Sequence, residues 1–204
     1  MRTIVLTAAM MLWVSSAQAE TWVYGGDDAR RTVPRLKGVM DRSAPGESSV
    51  NLAAQVARDL ETAGRAPNVA VLMDLGAVEA LLDCLEPEAP STVFSDLAIG
   101  GAIVGAKLLE HHGVAVVLAG PPGVARPQPA GYRRSLTSCA DHARLRTVLA
   151  VWEALGRPPL ANARLRSSMD LFLDDGLHLS PAGAAKAARA VQRTLDSMNT
   201  DERK

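Results

Sequence analysis

Near the carboxyl end of the chain, in "LFLDDGLHLSPAG" (residues 171–183), an acid and a histidine stand three residues apart, just ahead of a helix-forming run. Histidine exchanges a proton near neutral pH, and a carboxylate that accepts from its ring nitrogen fixes the tautomer and stabilises the imidazolium. Asp175 and His178 are therefore candidates for the acid–base half of a site. The same tetrapeptide also reads as a turn made by Asp175 and Gly176, with His178 an incidental polar residue before the helix. Both readings stay open on these residues alone. His111, His112 and His142 fall on amphipathic helical segments and read as solvated surface residues.

Any such site needs elements to hold it. "TWVYGG" reads as a strand closed by a tight turn, and "DDARRTVPRLKGVM" follows with polar, helical character. "SVNLAAQVARDLETAG" places Leu52, Val56 and Leu60 at helical spacing and closes on Gly64. "NVAVLMDLG" and "VAVVLAG" are short apolar runs of the kind buried on both faces of a parallel sheet. Helices are expected in "AVEALLDCL", "SDLAIGGAIVGAKLLEHHG" and "CADHARLRTVLAVWEALG". A last helix is expected in "SPAGAAKAARAVQRTLDSM", with Ser180 as N-cap and Pro181 at the first helical position. Short strands alternating with helices predict a three-layer α/β/α sandwich. In such sheets ligands sit beyond the carboxyl ends of the strands, which points to the loops at residues 25–30, 76–80, 119–134 and 171–180.

The first 19 residues, "MRTIVLTAAMMLWVSSAQA", combine a basic start, an apolar stretch too short to span a bilayer and a small-x-small ending. They read as a secretory signal cleaved after Ala19, so that residues 20–204 form one domain, periplasmic or secreted, with no later membrane span. The 22 basic and 22 acidic residues cancel, leaving no net field to draw nucleic acid or an anionic membrane. Cys84 and Cys139 suffice for one disulfide in an oxidising compartment, or stand as buried thiols. Neither cofactor motif nor metal-ligand motif is present, and no cofactor is expected.

The order of these segments resembles the SGNH, or GDSL-type, hydrolases over essentially the whole chain after the leader. The resemblance rests on a first strand ending in Gly26-Asp27, a strand ending in Gly76, the "VVLAGPP" strand and the late "DGLHLSPAG" block. It implies a flavodoxin-like α/β/α sandwich and ester-hydrolase or deacylase ancestry. It further implies a serine after the Gly-Asp pair, an oxyanion hole made by the serine amide, a glycine and an asparagine, and an Asp-x-x-His dyad.

Carried over residue by residue, Asp175 and His178 match the dyad, but Asp28 stands where the nucleophilic serine should be. A carboxylate has no proton for the histidine to remove at neutral pH. The family's Gly-x-Asn-Asp block reads Gly76-Ala77-Val78-Glu79, so Val78 replaces the asparagine donor. Loss of one oxyanion donor lowers the rate by ~10²–10³. Gly46, in "SAPGESS", and Gly76 are candidates for the oxyanion loops, and Ser48, Ser49 or Ser180 for a displaced nucleophile. Ser48 and Ser49 are read first as a loop and N-cap before the helix beginning near Val50, and Ser180 as a cap. Asp28 could pair with His178 and lock an inert site, or join Asp27, Asp175 and His178 around a divalent ion.

Three functions follow from this sequence. One is an exported protein impaired in serine-dependent acyl transfer that binds an acylated sugar, lipid or cell-wall ligand. Another is an active esterase or deacetylase that uses Asp175 and His178 with water or a displaced serine. The third is an accessory protein of an exported complex.

Overall fold

In a computed structural model the described residues are 20–44, 46–85, 91–120, 134–156 and 169–201. The leader at residues 1–19, and most of the expected 119–134 loop, lie outside them. Four parallel strands, β1 (Thr21–Tyr24), β2 (Val39–Asp41), β3 (Val69–Leu72) and β4 (Ala115–Leu118), form one sheet in the order β2-β1-β3-β4. Six α-helices accompany them among the described residues: α1 (Asp27–Thr32), α2 (Leu52–Thr62), α3 (Ala77–Asp83), α4 (Val93–His111), α5 (Arg134–Leu155) and α6 (Pro181–Asp201).

β1, β3 and β4 alternate with period two and are covered on both sides, as parallel strands under two helical layers must be. Trp22, Tyr24, Ala70, Leu72, Val116 and Leu118 point into a core shared with α2, α4 and α5. Val23, Val69, Val71 and Val117 point the other way, against Ala29 of α1 and Val191 and Leu195 of α6. The three-layer α/β/α arrangement expected from the sequence is what forms. None of the helices among the described residues is long and apolar enough to cross a membrane.

One strand departs from the expectation. Val39 and Met40, read as the end of a polar helical run, belong to edge strand β2 (Val39–Asp41), paired with Thr21–Val23. Three residues are too few to show alternation, and this strand is only half-covered or exposed. The order also creates the crevice that matters. The chain leaves β1 for β2 on one side and returns to β3 on the other, so the turns after β1 and β3 part and open a gap at their carboxyl ends.

Candidate functional site

The gap between the ends of β1 and β3 is a cleft. Gly26, Asp27 and Asp28 enter it from the β1 turn, Asp74 from the β3 turn, Val78 and Leu81 from α3, Ala140 and Arg144 from α5, and Leu177 and His178 from the segment before α6. The turn after the first strand and the segment preceding the last helix therefore converge, as the sequence required.

The dyad segment is a small hairpin. Phe172 bridges Leu179, the Leu173 N–H donates to the His178 carbonyl (2.8 Å), and the Ser180 N–H to the Leu171 carbonyl (3.0 Å). At its tip Asp175 does two things at once. Its Oδ1 accepts from the Leu177 and His178 amides, both at 2.9 Å, which makes the turn; its Oδ2 lies 2.6 Å from His178 Nδ1, which holds the ring. The two readings of the tetrapeptide are thus not rivals. Burial opposes ionisation of Asp175, but these amide bonds and the His178 ring outweigh it and hold the carboxyl below its usual range. With Nδ1 engaged, Nε2 is the nitrogen left for water or a ligand.

The hairpin is pinned to α6. Ser180 Oγ accepts from the Gly183 amide (3.2 Å) and donates to the Asp170 carbonyl (2.6 Å), so the expected cap is made. A Cβ on Gly183 would lie 2.0 Å from the Leu171 carbonyl oxygen. This is a packing reason for a glycine in "SPAG".

The position to which the resemblance assigns the nucleophile holds a buried carboxylate. Asp28 is 2 % exposed. Its Oδ1 accepts from the Leu179 amide (2.8 Å), its Oδ2 from Arg144 Nη2 (3.2 Å), and its own amide donates to Asp74 Oδ2 (3.2 Å). Arg144 Nη2 also donates to Asp74 Oδ1 (2.6 Å), so one buried guanidinium group serves two buried carboxylates. The inert pair that sequence offered between Asp28 and His178 is replaced by a pair with Arg144, because the Asp28 side chain is drawn to the Leu179 amide rather than to the imidazole. Burial, then the Asp28 carboxylate, pushes the Asp74 carboxyl up to about 6 against the pull of Arg144. Burial lowers the Arg144 guanidinium, but Asp74 and Asp28 more than reverse this. Asp74 also holds a left-handed backbone, φ 56°, which is uncommon for a residue with a side chain and is a conformation that clusters at functional sites.

The oxyanion donors implied by the resemblance are engaged or absent. The Asp28 amide is bound to Asp74, and Val78 has no side-chain donor. The Gly76 amide donates to Ser49 Oγ (2.8 Å). Gly46 is exposed and lies outside the cleft, where only its neighbour Glu47 reaches the rim; its φ of 69° marks a surface turn. The serines proposed as displaced nucleophiles have structural partners. Ser48 Oγ bonds Glu79 Oε1 and accepts from the Val50 amide, Ser49 Oγ holds Gly76, and Ser180 caps α6. No cluster of three or more metal-ligating side chains occurs among the described residues, and the Asp28 oxygens already face N–H donors. His111, His112 and His142 are exposed.

Cys84, at the end of α3, is joined to Cys139 of α5, with 5.9 Å between their Cα atoms. The bridge packs with Ala80, Ala140 and Leu177 behind the cleft, tying together the two helices that supply Val78 and Arg144. Sequence reasoning left this pairing open and missed Asp74 and Arg144 altogether. Arg144 had a readable signal. It lies four residues from Ala140 and four from Val148, on the buried stripe of α5, where a cation requires an acid.

No protein-family model matches the chain, and no curated protein matches it by sequence. Solved structures do match. A GDSL-like lipase from Bacteroides thetaiotaomicron superposes with a TM-score of 0.64 at 14% identity, over 90% of each chain. An acetyl xylan esterase gives 0.63 at 11% identity, over 86% of this chain and 99% of its own. A lipase/acylhydrolase from Enterococcus faecalis gives 0.57 at 14% identity, over 88% and 96%. At these identities the likeness speaks for the fold, and that fold, with its cleft at the ends of β1 and β3, is the one the motifs implied: the chain has the SGNH/GDSL hydrolase fold.

Proposed function

We propose that this is an exported protein of ester-hydrolase ancestry that binds a small, uncharged acylated ligand, such as an acetylated sugar, and does not carry out serine-dependent acyl transfer. One observation carries the reading: the carboxylate and the amide of Asp28 are all bound internally, to Leu179, Arg144 and Asp74. Acyl transfer needs a hydroxyl at that position and donors aimed at the developing oxyanion. Here the position holds a pinned carboxylate and the donors face other partners. Asp27 and Glu47 stand at the cleft, and the Arg144 charge is matched by two carboxylates, so the electrostatics disfavour an anionic ligand. The Cys84–Cys139 bridge supports an oxidising compartment, in keeping with the leader. An acetyl xylan esterase among the structural neighbours is the reason to choose an acetylated sugar as probe.

A second reading has its own support. The Asp175–His178 pair is assembled at 2.6 Å and could activate water without a serine. Hydrolysis of p-nitrophenyl acetate separates the two. Under the proposal the protein and its His178→Ala variant give the same background rate; a rate that His178→Ala abolishes overturns it. Binding is tested by thermal unfolding with O-acetylated xylo-oligosaccharide. The ligand should raise Tm of the protein and leave a Val78→Trp variant, whose cleft is filled, unmoved. Absence of any shift in the unaltered protein refutes this choice of ligand.

A further inference from the structure

Net neutrality conceals a strong separation of charge. Arg30, Arg31 and Arg35 are exposed on α1 and the turn that follows it, and Lys186, Arg189 and Arg193 are exposed on α6. These elements are adjacent: Ala29 and Val33 share a core with Val191 and Leu195, and the Lys37 amide donates to Gln192 Oε1 (2.9 Å). Lys37 itself is exposed and joins the same face. None of these seven cations forms an ion pair among the described residues; elsewhere Arg42, Arg65, Arg144 and Arg146 do, while Arg58 and Lys107 stand exposed and unpaired but singly, away from other such cations in sequence. Asp196 of α6 is exposed and hydrogen-bonded to Gln192. On the hairpin and at the cleft rim the sign reverses, with Asp170, Asp174 and Glu47 exposed.

We infer that the outer face of α1 and α6 docks the protein peripherally on an anionic phospholipid surface and leaves the acidic cleft rim turned to solvent. Three features favour this partner. The cations are spread over two adjacent helices and the turn after α1 rather than gathered in one pocket, which suits an extended array of phosphates better than a single anion. On α6, Lys186 to Arg193 span about 10 Å at 1.5 Å per residue, close to the screening length at physiological salt, so their fields add. Five of the seven are arginines, whose planar fork matches phosphate. The large exposed apolar side chains, such as Leu85, Val93 and Leu97, lie elsewhere, so this face has no wedge for the acyl region and the contact is electrostatic. The inference does not depend on what the cleft binds.

Co-sedimentation with vesicles tests it, using phosphatidylcholine alone and phosphatidylcholine mixed with phosphatidylglycerol. The protein should pellet with the anionic vesicles, and high salt should release it. Each basic residue near such a surface contributes about a factor of five, so Arg189→Glu/Arg193→Glu should weaken binding at least about 25-fold, with circular dichroism confirming the fold. That variant also controls for any contact made by residues 1–19. Arg31→Glu/Arg35→Glu is an independent second variant, and the salt titration of the unaltered protein needs no variant. Equal binding to neutral vesicles, no binding to anionic ones, or binding that neither salt nor charge reversal weakens overturns the inference. So does retention on heparin without vesicle binding, which would assign the face to a soluble polyanion.

Discussion

Replacing Asp74 by asparagine isolates the electrostatics of the buried Asp28–Arg144–Asp74 cluster. The Asp74 side chain is 3% exposed, and burial together with the Asp28 carboxylate raises its carboxyl from 3.8 to about 6. A group whose pKa is raised on folding binds its proton more tightly in the folded state. Its contribution to stability is fully present below the unfolded value and is lost as the pH rises through the folded one. A shift of about two units, at about 1.4 kcal/mol each, amounts to ~3 kcal/mol between about pH 4 and neutrality. Asparagine cannot ionise and escapes this loss. Urea unfolding of both proteins across that range should show the stability difference moving by ~3 kcal/mol in favour of Asp74→Asn as the pH rises. Taking the difference cancels groups such as Asp175 and Asp83, whose lowered pKa values give the opposite slope at more acid pH. A difference that stays flat to within about 0.5 kcal/mol would refute the reasoning that burial beside the Asp28 carboxylate outweighs the pull of Arg144 on Asp74.

Three further outcomes follow from the same contacts. Arg144→Met leaves Asp28 and Asp74 buried without their cation, and should lower stability at neutral pH by about 3–5 kcal/mol in urea, with a smaller loss below pH about 6, where Asp74 takes up a proton. Cys84→Ser/Cys139→Ser opens a loop with a sequence separation of 55, for which chain entropy gives a loss of about 4 kcal/mol, measured against the unaltered protein under non-reducing conditions. Gly183→Ala forces α6 off the Leu171 carbonyl, and should lower Tm by roughly 5–10 °C in calorimetry, corresponding to about 3 kcal/mol of strain.

The layers were legible in the sequence because they rest on periodicity. "VAVL" and "AVVL" are apolar at every position since both faces of the sheet are covered, and Ser180, Pro181 and Gly183 carry local cap and packing chemistry that a sequence displays directly. β2 was not legible, since a three-residue edge strand inherits its conformation from its neighbour. The dyad was legible as a spacing, because Asp175 and His178 act within one turn. The substitution at Asp28 was visible, but its meaning was not. A carboxylate in place of a serine looks like a simple loss until its partners are known, and those partners lie 116 residues away in α5 and 151 residues away in the hairpin. Burying Asp28 alone would be strongly unfavourable, and burying Arg144 alone equally so. Asp28, Arg144 and Asp74 are tolerable only as a set. What the sequence shows as a single departure from a family pattern is, in the fold, one member of a buried three-residue ion cluster whose parts hold one another in place.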